Sequence, residues 1–575
     1  MKKRNKRIAA MLLSGLMAMS LAACGQSAPA QSTDTGSAES AAAGAAGETV
    51  ELDVLSMPTN TSGLAEGWWA EEVAKAVGVS INMIPCGDQA EQKLQALMAS
   101  GELPDIVVFK DYKQMQNAVD GDMLLAYDDY KEQLPDLYAN AGTALQYCAD
   151  IIKDSDGKSY GVGMKIKTDL ETKGTFGPFI RYDLYKEIGA PEIKNLDDFL
   201  TVLKQMQDLS PQNEDGQNVY AISLFKDWDR SYMTMGMFAT KMMGITMPDE
   251  GSLAEIHYDT GEPVLTSILS EDSGYLQFVR FAYEANQMGI LDPDSATQRF
   301  EDVVQKVTSG RVLFMLDSWG TNDFGTMERQ NNGVGFMPVQ PTGYKRLVNA
   351  LQPMGSSWVM SVSKSAKNPE KAMEFINWYY SYEGARTSLN GPQDVMWEMD
   401  EANKPVLTEK YYEVNNNPEA EFSGGKTFLQ GSCQIPQAFW LSSVDPGCGS
   451  AVSSTYWEKP SYAPEDTALV KEWQADYGAE DMISYLMADE SRIQIEPVSS
   501  YPTYTDEMEQ LSGRLGDIIK TGSWKMVFAG DDAEYEQLKE QMIADAKEVG
   551  IDRFVELYRA EYEKCLADAE KYAQK

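Results

Sequence analysis

The segment Gly157-Lys158-Ser159-Tyr160-Gly161 matches the spacing of two catalytic motifs. Its G-x-S-x-G pattern is that of a nucleophile elbow, in which a serine stands on a sharp turn between a strand and a helix. Here a polar turn precedes the motif, and the residues after it favour a strand. A phosphate-binding loop is also excluded, because the glycine that it requires five positions before Gly157 is Ile152. We therefore expect no catalysis at this segment.

The chain contains one histidine, His257. A two-histidine zinc motif is therefore impossible, and any Ser-His-Asp or Cys-His arrangement would have to use this residue. The pattern around His257 is typical of one arm of a β-hairpin, so we interpret it as a structural residue. Two carboxylates acting on a glycosidic bond need no histidine. A surface glycoside hydrolase or lyase therefore stays open at this point.

Aromatic and polar residues follow three predicted strands, which cover residues 50–57, 219–225 and 311–316. Ligands of open α/β sheets bind outside the carboxyl ends of strands. Flat rings can cover the apolar faces of sugar rings, while carboxylates and guanidiniums hydrogen-bond hydroxyl groups. The candidate ligand-binding residues are Thr59, Asn60, Trp68, Trp69, Arg181, Trp228, Arg230, Asp317 and Trp319.

The elements that must position these residues alternate between strand and helix. The order is strand 50–57, helix 64–77, strand 79–84, helix 88–100 and strand 105–109. Gly101 supplies a helix stop, and the unbroken apolar run from Ile106 to Phe109 is typical of a parallel strand covered on both faces. The sequence therefore predicts an α/β fold with a parallel sheet and right-handed crossovers.

Five basic residues and an apolar run precede Leu21-Ala22-Ala23-Cys24 at the start of the chain. This pattern predicts an export signal over residues 1–23. The last four residues resemble a bacterial lipobox, which implies that Cys24 is the site of lipid attachment. Residues 24–47 lack aromatic and branched aliphatic side chains, so we expect a flexible tether there. The expected location is the outer face of the cytoplasmic membrane.

The formal charge of −39 excludes nucleic acid as a partner, because the phosphate backbone would be repelled. Beyond Cys24 the cysteines are scattered and include no C-x-x-C pair, which argues against a disulfide framework and a zinc site. A short-loop bridge between Cys433 and Cys448 stays open.

Several motifs resemble those of extracellular solute-binding proteins of ABC importers. The first is the run Leu97-Met98-Ala99-Ser100-Gly101-Glu102-Leu103-Pro104-Asp105-Ile106. Others occur in the same order as in the family: residues 156–161, Arg181-Tyr182-Asp183, residues 309–315, 364–384, 548–552 and 558–562. The great length resembles the large lipoprotein form near the LipO and alginate-binding group. The likeness covers nearly all of the chain beyond the tether.

The resemblance implies a type II periplasmic-binding-protein fold, in which two α/β lobes joined by hinge crossings close on a ligand. Lobe 1 is expected at residues 48–160 and 310–390, and lobe 2 at 161–309 and 391–575, including helices at the carboxyl terminus. Some members of the alginate-binding group carry a calcium loop. The matching loop here has Pro211 first and Ile222 twelfth, neither of which can ligate by its side chain. We therefore expect no metal and no cofactor.

The expected function is that of a lipid-anchored binding protein, not an enzyme. It would capture a carbohydrate, as an oligosaccharide, between two lobes and deliver it to the permease subunits of an ABC transporter. We expect a monomer.

Overall fold

The computed structural model describes residues 49–59, 61–85, 90–170, 176–226, 242–247, 252–258, 263–348, 351–495 and 502–573. The strands are β1 Val50–Ser56, β2 Gly63–Leu64, β3 Val79–Met83, β4 Ile106–Phe109, β5 Val162–Gly163, β6 Phe176–Arg181, β7 Ile245–Thr246, β8 Ala254–His257, β9 Val264–Ser267, β10 Phe314–Asp317, β11 Phe336–Pro338, β12 Arg346–Val348, β13 Val359–Val362, β14 Trp397–Met399, β15 Pro405–Leu407, β16 Glu421–Ser423, β17 Lys426–Thr427, β18 Val444–Asp445, β19 Ser450–Ala451 and β20 Ile493–Ile495. The α-helices are Trp68–Val77, Ala90–Ser100, Tyr112–Asp120, Pro135–Asn140, Gly142–Ile151, Tyr182–Glu187, Leu196–Leu209, Gly274–Gln287, Phe300–Thr308, Met327–Asn331, Pro369–Tyr379, Tyr382–Asn390, Glu409–Asn416, Ala468–Tyr477, Met482–Met487, Asp506–Val527, Asp532–Val549 and Ile551–Ala573.

The first sheet has the strand order β2-β3-β1-β4-β13-β5. Its centre is parallel, since β1 pairs with β3 on one side and with β4 on the other. All residues of β4 are buried, and Gly101 ends the preceding helix with a φ of 76°. The predicted α/β order of the first five elements is therefore confirmed.

Successive residues along each strand of this sheet face opposite sides, and each side packs against its own hydrophobic cluster. Val54 and Val108 pack on one face, together with the helices Trp68–Val77 and Pro369–Tyr379. Leu55 and Val107 pack on the other face. This alternation is the period of two that a strand imposes. We call the sheet with its two clusters the first core.

The second core surrounds the three-stranded antiparallel sheet β10-β6-β11. Residues next to it extend the sheet through parallel bridges from Tyr220 to Val312 and from Ile222 to Leu291. The Leu196–Leu209 helix covers this sheet, and the ring of Phe199 meets that of Phe314 edge to face at 5.1 Å. The second core also contains most of the helices that follow residue 467.

The segments are divided between the cores differently from the expected lobe boundaries. Residues 314–317 and 336–338 pair with β6, so they belong to the second core rather than to the first lobe. Ile435, Phe439 and Val452 pack in the first core, although residues after 390 were expected in the second lobe. The sequence predicted a strand over residues 311–316, but its pattern carries no information on which sheet the strand joins.

A helix start and an apolar helix stripe that the sequence predicted are both present in the structure. Asn368 caps the Pro369–Tyr379 helix, because its side chain accepts a hydrogen bond from the Lys371 amide at 3.2 Å. The predicted apolar stripe of Phe554, Tyr558 and Tyr562 packs in the second core. These side chains are packing residues, as expected.

No described helix is long and apolar enough to cross a membrane. The predicted signal peptide, the tether and Cys24 lie outside the described residues.

Candidate functional site

The carboxyl ends of the parallel strands in the first sheet lie beside the segment that leaves for the second core. Gly163 of β5 pairs with Val359, and Val359 pairs with Phe109, the last residue of β4. Since β1 runs parallel to β4, its end at Ser56 lies at the same edge. Thr59, which follows β1, is half-buried near this edge.

One end of the second sheet lies where the chain arrives from the first core. Phe176 is the first residue of β6 and pairs with Asp317, the last residue of β10. Gln340 follows β11 at the same end, since the Val339 amide donates to the Pro178 carbonyl. The two sheets thus present these ends to the crossing segments.

Three chain segments lie side by side at the crossing, and we call them the crossing ribbon: residues 351–358, 164–168 and 437–443. The middle segment is hydrogen-bonded on both sides. On one side the Lys167 amide donates to the Gln352 carbonyl at 3.1 Å. On the other, the Ile166 amide donates to Ala438 at 2.9 Å and the Trp440 amide to Ile166 at 2.8 Å. This pairing fixes the orientation of the side chains.

Glycine is required where the first two segments approach each other. A Cβ on Gly163 would lie 2.3 Å from the Met354 carbonyl oxygen, and one on Gly355 would lie 2.7 Å from the carbonyl carbon of Gly163. Gly355 also has a φ of 79°, which favours glycine. Glycine is therefore required at both positions for these two segments to pack so closely.

Two tryptophans and two lysines meet on one face of the ribbon. The Nζ of Lys165 lies 3.9 Å from the centroid of the Trp358 ring and 5.6 Å from that of Trp440. Lys167 is 2% exposed, and its Nζ lies 4.8 Å from the Trp440 centroid. Both indoles are half-buried. Ammonium groups at these distances are attracted to the ring faces, so the four side chains hold one another in place.

The Nε1 of Trp440 is buried and donates to no acceptor within the described residues. A buried donor without a partner costs about 1–3 kcal/mol. Such groups are rare in folded proteins, and each one calls for an explanation. A ligand or an ordered water that accepts this hydrogen bond would remove the cost.

Asp317 is a buried carboxyl group at the end of β10. Burial raises its pKa to about 6, against the opposing effect of a hydrogen bond from the Gly320 amide. That amide donates to Oδ1 at 2.6 Å, which fixes the start of the short Trp319–Thr321 turn. Trp319 on this turn is 37% exposed. The end of the second sheet therefore has a buried carboxyl group followed by an accessible ring.

Trp68 and Trp69 are core residues, which corrects the expectation that they contact a ligand. Each is at most 2% exposed. Trp68 stacks on Phe428 at 5.1 Å and donates from Nε1 to the Phe428 carbonyl at 2.7 Å. Trp69 donates to the Ser388 hydroxyl at 3.0 Å. Both indole N–H groups therefore have hydrogen-bond acceptors inside the first core.

Arg181 lies at the opposite end of β6 from Asp317. At about 3.3 Å per residue, the two ends of this strand are roughly 16 Å apart. The guanidinium forms a two-pronged ion pair with Asp183, at 2.9 and 2.6 Å, and its centre lies 4.5 Å from the Phe324 ring centroid. These contacts make Arg181 a structural residue of the second core.

Asn60, Trp228 and Arg230 lie outside the described residues. Sequence patterns did not identify Trp358, Trp440, Lys165 and Lys167 as candidates. Trp358 directly precedes β13, and Trp440 follows no predicted strand, so the rule of looking after strand ends could not find them. A Lys-x-Lys pair just after a short apolar strand was the available signal.

Ser159 and His257, the two residues that raised the possibility of catalysis, have structural roles instead. Ser159 is buried, and its hydroxyl donates to the Gly161 carbonyl at 2.7 Å instead of standing on an exposed elbow. His257 lies in β8, as predicted for a hairpin arm, and its Nε2 is 2.7 Å from the Glu255 carboxylate. Glu255 also accepts from the Gly274 amide at 2.9 Å, so this pair supports the start of a helix.

The loop at the position of the calcium loop of the alginate-binding group has a structure that does not fit a metal ion. The Asn213 side chain accepts from the Gln217 amide of the same loop at 2.8 Å and donates to the Ser309 carbonyl, outside the loop, at 2.8 Å. Ile222, at the twelfth position, is fully buried in the second core. Across the described residues, no group of three or more His, Cys, Asp or Glu side chains could hold a metal ion.

Cys433 and Cys448 are separate thiols, so the bridge that stayed open is not formed. Cys448 instead accepts from the Arg386 guanidinium at 2.8 Å, and Arg386 also pairs with Asp445 at 2.6 Å.

Comparisons with known structures show the same fold. An HMO-binding solute-binding protein of an ABC transporter from Bifidobacterium longum infantis ATCC 15697 is 14% identical, with a TM-score of 0.57 over 90% of this chain and 99% of that one. The alginate-binding protein AlgQ2 is 16% identical, with a TM-score of 0.57 over 90% and 99%. The substrate-binding protein FusA of a S. pneumoniae ABC transporter is 16% identical, with a TM-score of 0.58 over 90% and 100%. The predicted two-lobed type II fold is therefore confirmed.

No functionally curated protein sequence matches this chain. The family model of the bacterial extracellular solute-binding proteins matches residues 68–391, which is more than half of the chain. Proteins of this kind bind solutes for ABC transporters and are not enzymes, so the expectation of a binding protein without catalysis is confirmed. The chain belongs to the family of bacterial extracellular solute-binding proteins.

Proposed function

We propose that the protein captures a carbohydrate, in the form of an oligosaccharide, between its two lobes and delivers it to the permease subunits of an ABC transporter. The family supports the transport role. Among the similar structures, one is described as HMO-binding, another as alginate-binding, and FusA was solved with fructo-nystose and with kestose. These ligands are carbohydrates of more than one unit, which supports an oligosaccharide here.

The observation that carries the proposal is the pair of half-buried indoles on the crossing ribbon. Trp358 and Trp440 offer flat apolar surfaces to the apolar faces of sugar rings. Lys165 lies against the Trp358 ring and can donate hydrogen bonds to hydroxyl groups, while the buried Lys167 lies against the Trp440 ring. On the side of the second core, Trp319 offers an accessible ring on the turn after Asp317.

In this proposal the first lobe is the first core, residues 49–163 and 351–457, and the second lobe is the second core. The lobes close by bending at the crossing ribbon. Only a ligand with greater affinity for the closed state can drive this motion, so it must touch both lobes. Trp358 on the ribbon and Trp319 on the turn that follows β10 allow such bridging.

Isothermal titration calorimetry with a panel of neutral and acidic oligosaccharides, including kestose and alginate oligomers, tests the proposal. For any glycan that binds, Trp358→Ala and Trp440→Ala should each weaken binding. By analogy with bases stacked on aromatic rings, each ring contributes about 1–3 kcal/mol. This corresponds to roughly 5- to 150-fold in affinity.

Trp378→Ala is the matched control, because this indole is also half-buried but lies on the Pro369–Tyr379 helix. It should bind the glycan as the wild type does. Equal binding by all three variants would place the ligand away from the ribbon, and the absence of binding by every glycan would contradict the proposed ligand class. Small-angle X-ray scattering should show compaction when the bound glycan is added.

The proposal includes a lipid anchor on Cys24 and a monomeric protein at the outer face of the cytoplasmic membrane. The basic start of the chain and Leu21-Ala22-Ala23-Cys24 support it. Two acyl chains anchor a protein far more firmly than one. Cys24→Ser should move the protein from the membrane fraction to the soluble fraction, and wild-type protein without acyl mass in a host that makes lipoproteins would contradict the anchor.

A further inference from the structure

The last helix, Ile551–Ala573, belongs to both cores. Phe554, Tyr558 and Tyr562 pack in the second core. Ala569 and Tyr572, near its end, are buried in the first core beside Tyr147. The helix has 23 residues and is therefore about 34 Å long. It is the one described helix whose buried residues are divided between the two cores.

The tip of this helix is attached to the first core in three ways. The ring of Tyr572 meets that of Tyr147 edge to face at 5.3 Å. The Tyr572 hydroxyl donates to the Asp150 carboxylate, and Lys571 Nζ lies 2.5 Å from the same carboxylate. Burial acts to raise the pKa of Asp150, but the hydrogen bonds from Lys571 and Tyr572 outweigh it and lower this pKa. The charged form of the pair is therefore the stable one.

A second attachment joins the two cores through Lys113. Lys113 belongs to the Tyr112–Asp120 helix of the first core, and its Nζ lies 2.9 Å from Asp506 and 2.9 Å from Glu509. Both carboxylates belong to the first turns of the Asp506–Val527 helix, which packs in the second core. Lys113 is one quarter exposed, whereas Asp506 and Glu509 are 89% and 52% exposed, so this contact lies at the surface and is sensitive to salt.

The two attachments converge on the edge of the first sheet that faces the crossing ribbon. The ring of Tyr147 meets that of Tyr112 edge to face at 5.4 Å, which links Tyr572 to the residue before Lys113. The Tyr112 hydroxyl lies 3.0 Å from the position of a Cβ on Gly163, at the start of the crossing. A displacement of the helix tip would therefore be transmitted to the ribbon through side chains that are in contact.

We propose that Lys571 and Tyr572, with Lys113 as a second point of attachment, form a latch that holds the second core against the first in the arrangement of this structure. A helix cannot stretch, because its length is set by its backbone hydrogen bonds. When the cores rotate apart at the ribbon, the helix end must leave its place beside Tyr147 and Asp150. The latch therefore shifts the ligand-free protein towards the present arrangement, and a ligand that touches both lobes completes this shift. Tyr572 and Lys113 are then positioning residues for the site.

Small-angle X-ray scattering of the ligand-free protein tests the latch, and this readout is independent of the ligand class proposed above. The Lys571→Ala/Tyr572→Ala double variant should have a larger radius of gyration and a broader distance distribution than the wild type. In 1 M salt the wild type should shift in the same direction, because the screening length falls to about 3 Å. Lys564→Ala is the control. It removes an ion pair with Glu561 at 2.6 Å on the same helix without touching the first core.

A charge exchange separates the latch from a general loss of packing. Lys113→Glu should expand the protein, and combining it with Asp506→Lys and Glu509→Lys should restore the wild-type scattering curve, since the attraction is rebuilt with opposite signs. Wild-type curves for both the Lys571/Tyr572 variant and Lys113→Glu would overturn the latch. Failure of the exchange to restore the curve of a folded Lys113→Glu protein would overturn the role of Lys113.

Discussion

The ammonium nitrogen of Lys165 lies 3.9 Å from the centroid of the Trp358 ring, where two segments of the crossing ribbon meet. Lys165 adopts a φ of 55°, a conformation that costs a side-chain-bearing residue about 1–2 kcal/mol. The cost is offset where the backbone is held, here by the hydrogen bond of its amide to the Gln437 carbonyl at 3.1 Å. The strained backbone directs the ammonium group onto the ring.

A double-mutant cycle measures this contact. Lys165→Met removes the charge, Trp358→Leu removes the ring, and the double variant removes both. We expect a coupling of about 0.5–2 kcal/mol in the free energy of unfolding, the range for a cation over an aromatic ring. Chemical denaturation at neutral pH is the measurement.

Lys158→Met with Trp358→Leu serves as the control cycle, because Lys158 pairs with Asp129 at 2.6 Å instead. Its coupling should be close to zero. A Lys165 cycle that also gives zero would show that the ammonium and the ring do not interact in solution.

Trp68→Ala should destabilise the protein rather than act on the site. The indole is 2% exposed and donates to the Phe428 carbonyl, so its loss leaves a cavity and an unpaired acceptor. We expect a loss of about 3–5 kcal/mol, seen as a lower midpoint in thermal or chemical unfolding. Folded Trp68→Ala protein with a wild-type midpoint and weakened glycan binding would contradict the core assignment.

Asp317→Asn should raise the stability of the folded protein at neutral pH. Burial raises the pKa of Asp317 to about 6 from 3.8, so the native state holds the proton more tightly than the unfolded chain. The native state of the wild type therefore loses stability as the pH rises through about 4 to 6. Asparagine carries no charge and can still accept from the Gly320 amide.

The expected gain for Asp317→Asn is up to roughly 2–3 kcal/mol at pH 7 and close to zero near pH 4. Urea denaturation at both pH values measures it. A variant that is less stable than the wild type at pH 7 would show that the carboxylate makes a favourable contact that outweighs its burial.

A calcium chelator should leave the unfolding midpoint within about 1–2 °C of its value without chelator. The reason is that Asn213 is engaged within its own loop and that Ile222 stands in the core at the twelfth position. A site filled at 100 times its dissociation constant would instead contribute about 2.7 kcal/mol. Differential scanning calorimetry with and without the chelator decides between the two.

The sequence by itself determined the local elements and the class of fold. Strand and helix periods predicted β1, β3, β4 and the helices between them, since burial of one face repeats every two residues in a strand and every 3.6 in a helix. The stop at Gly101 and the start at Asn368 follow from backbone preferences that act within a few residues. The order of the motifs along the chain was enough to indicate the family.

Only the tertiary structure decided which segments meet. The pattern of residues 314–317 predicts a strand but does not indicate that β6 is its partner. The expected lobe boundary therefore differs from the observed pairing there. Trp68 and Trp358 have the same side chain, yet one is enclosed by the first core and the other is half-buried on the ribbon. The site joins residues near positions 165, 358 and 440, and contacts between such distant segments depend on the packing of both cores, which no local pattern encodes.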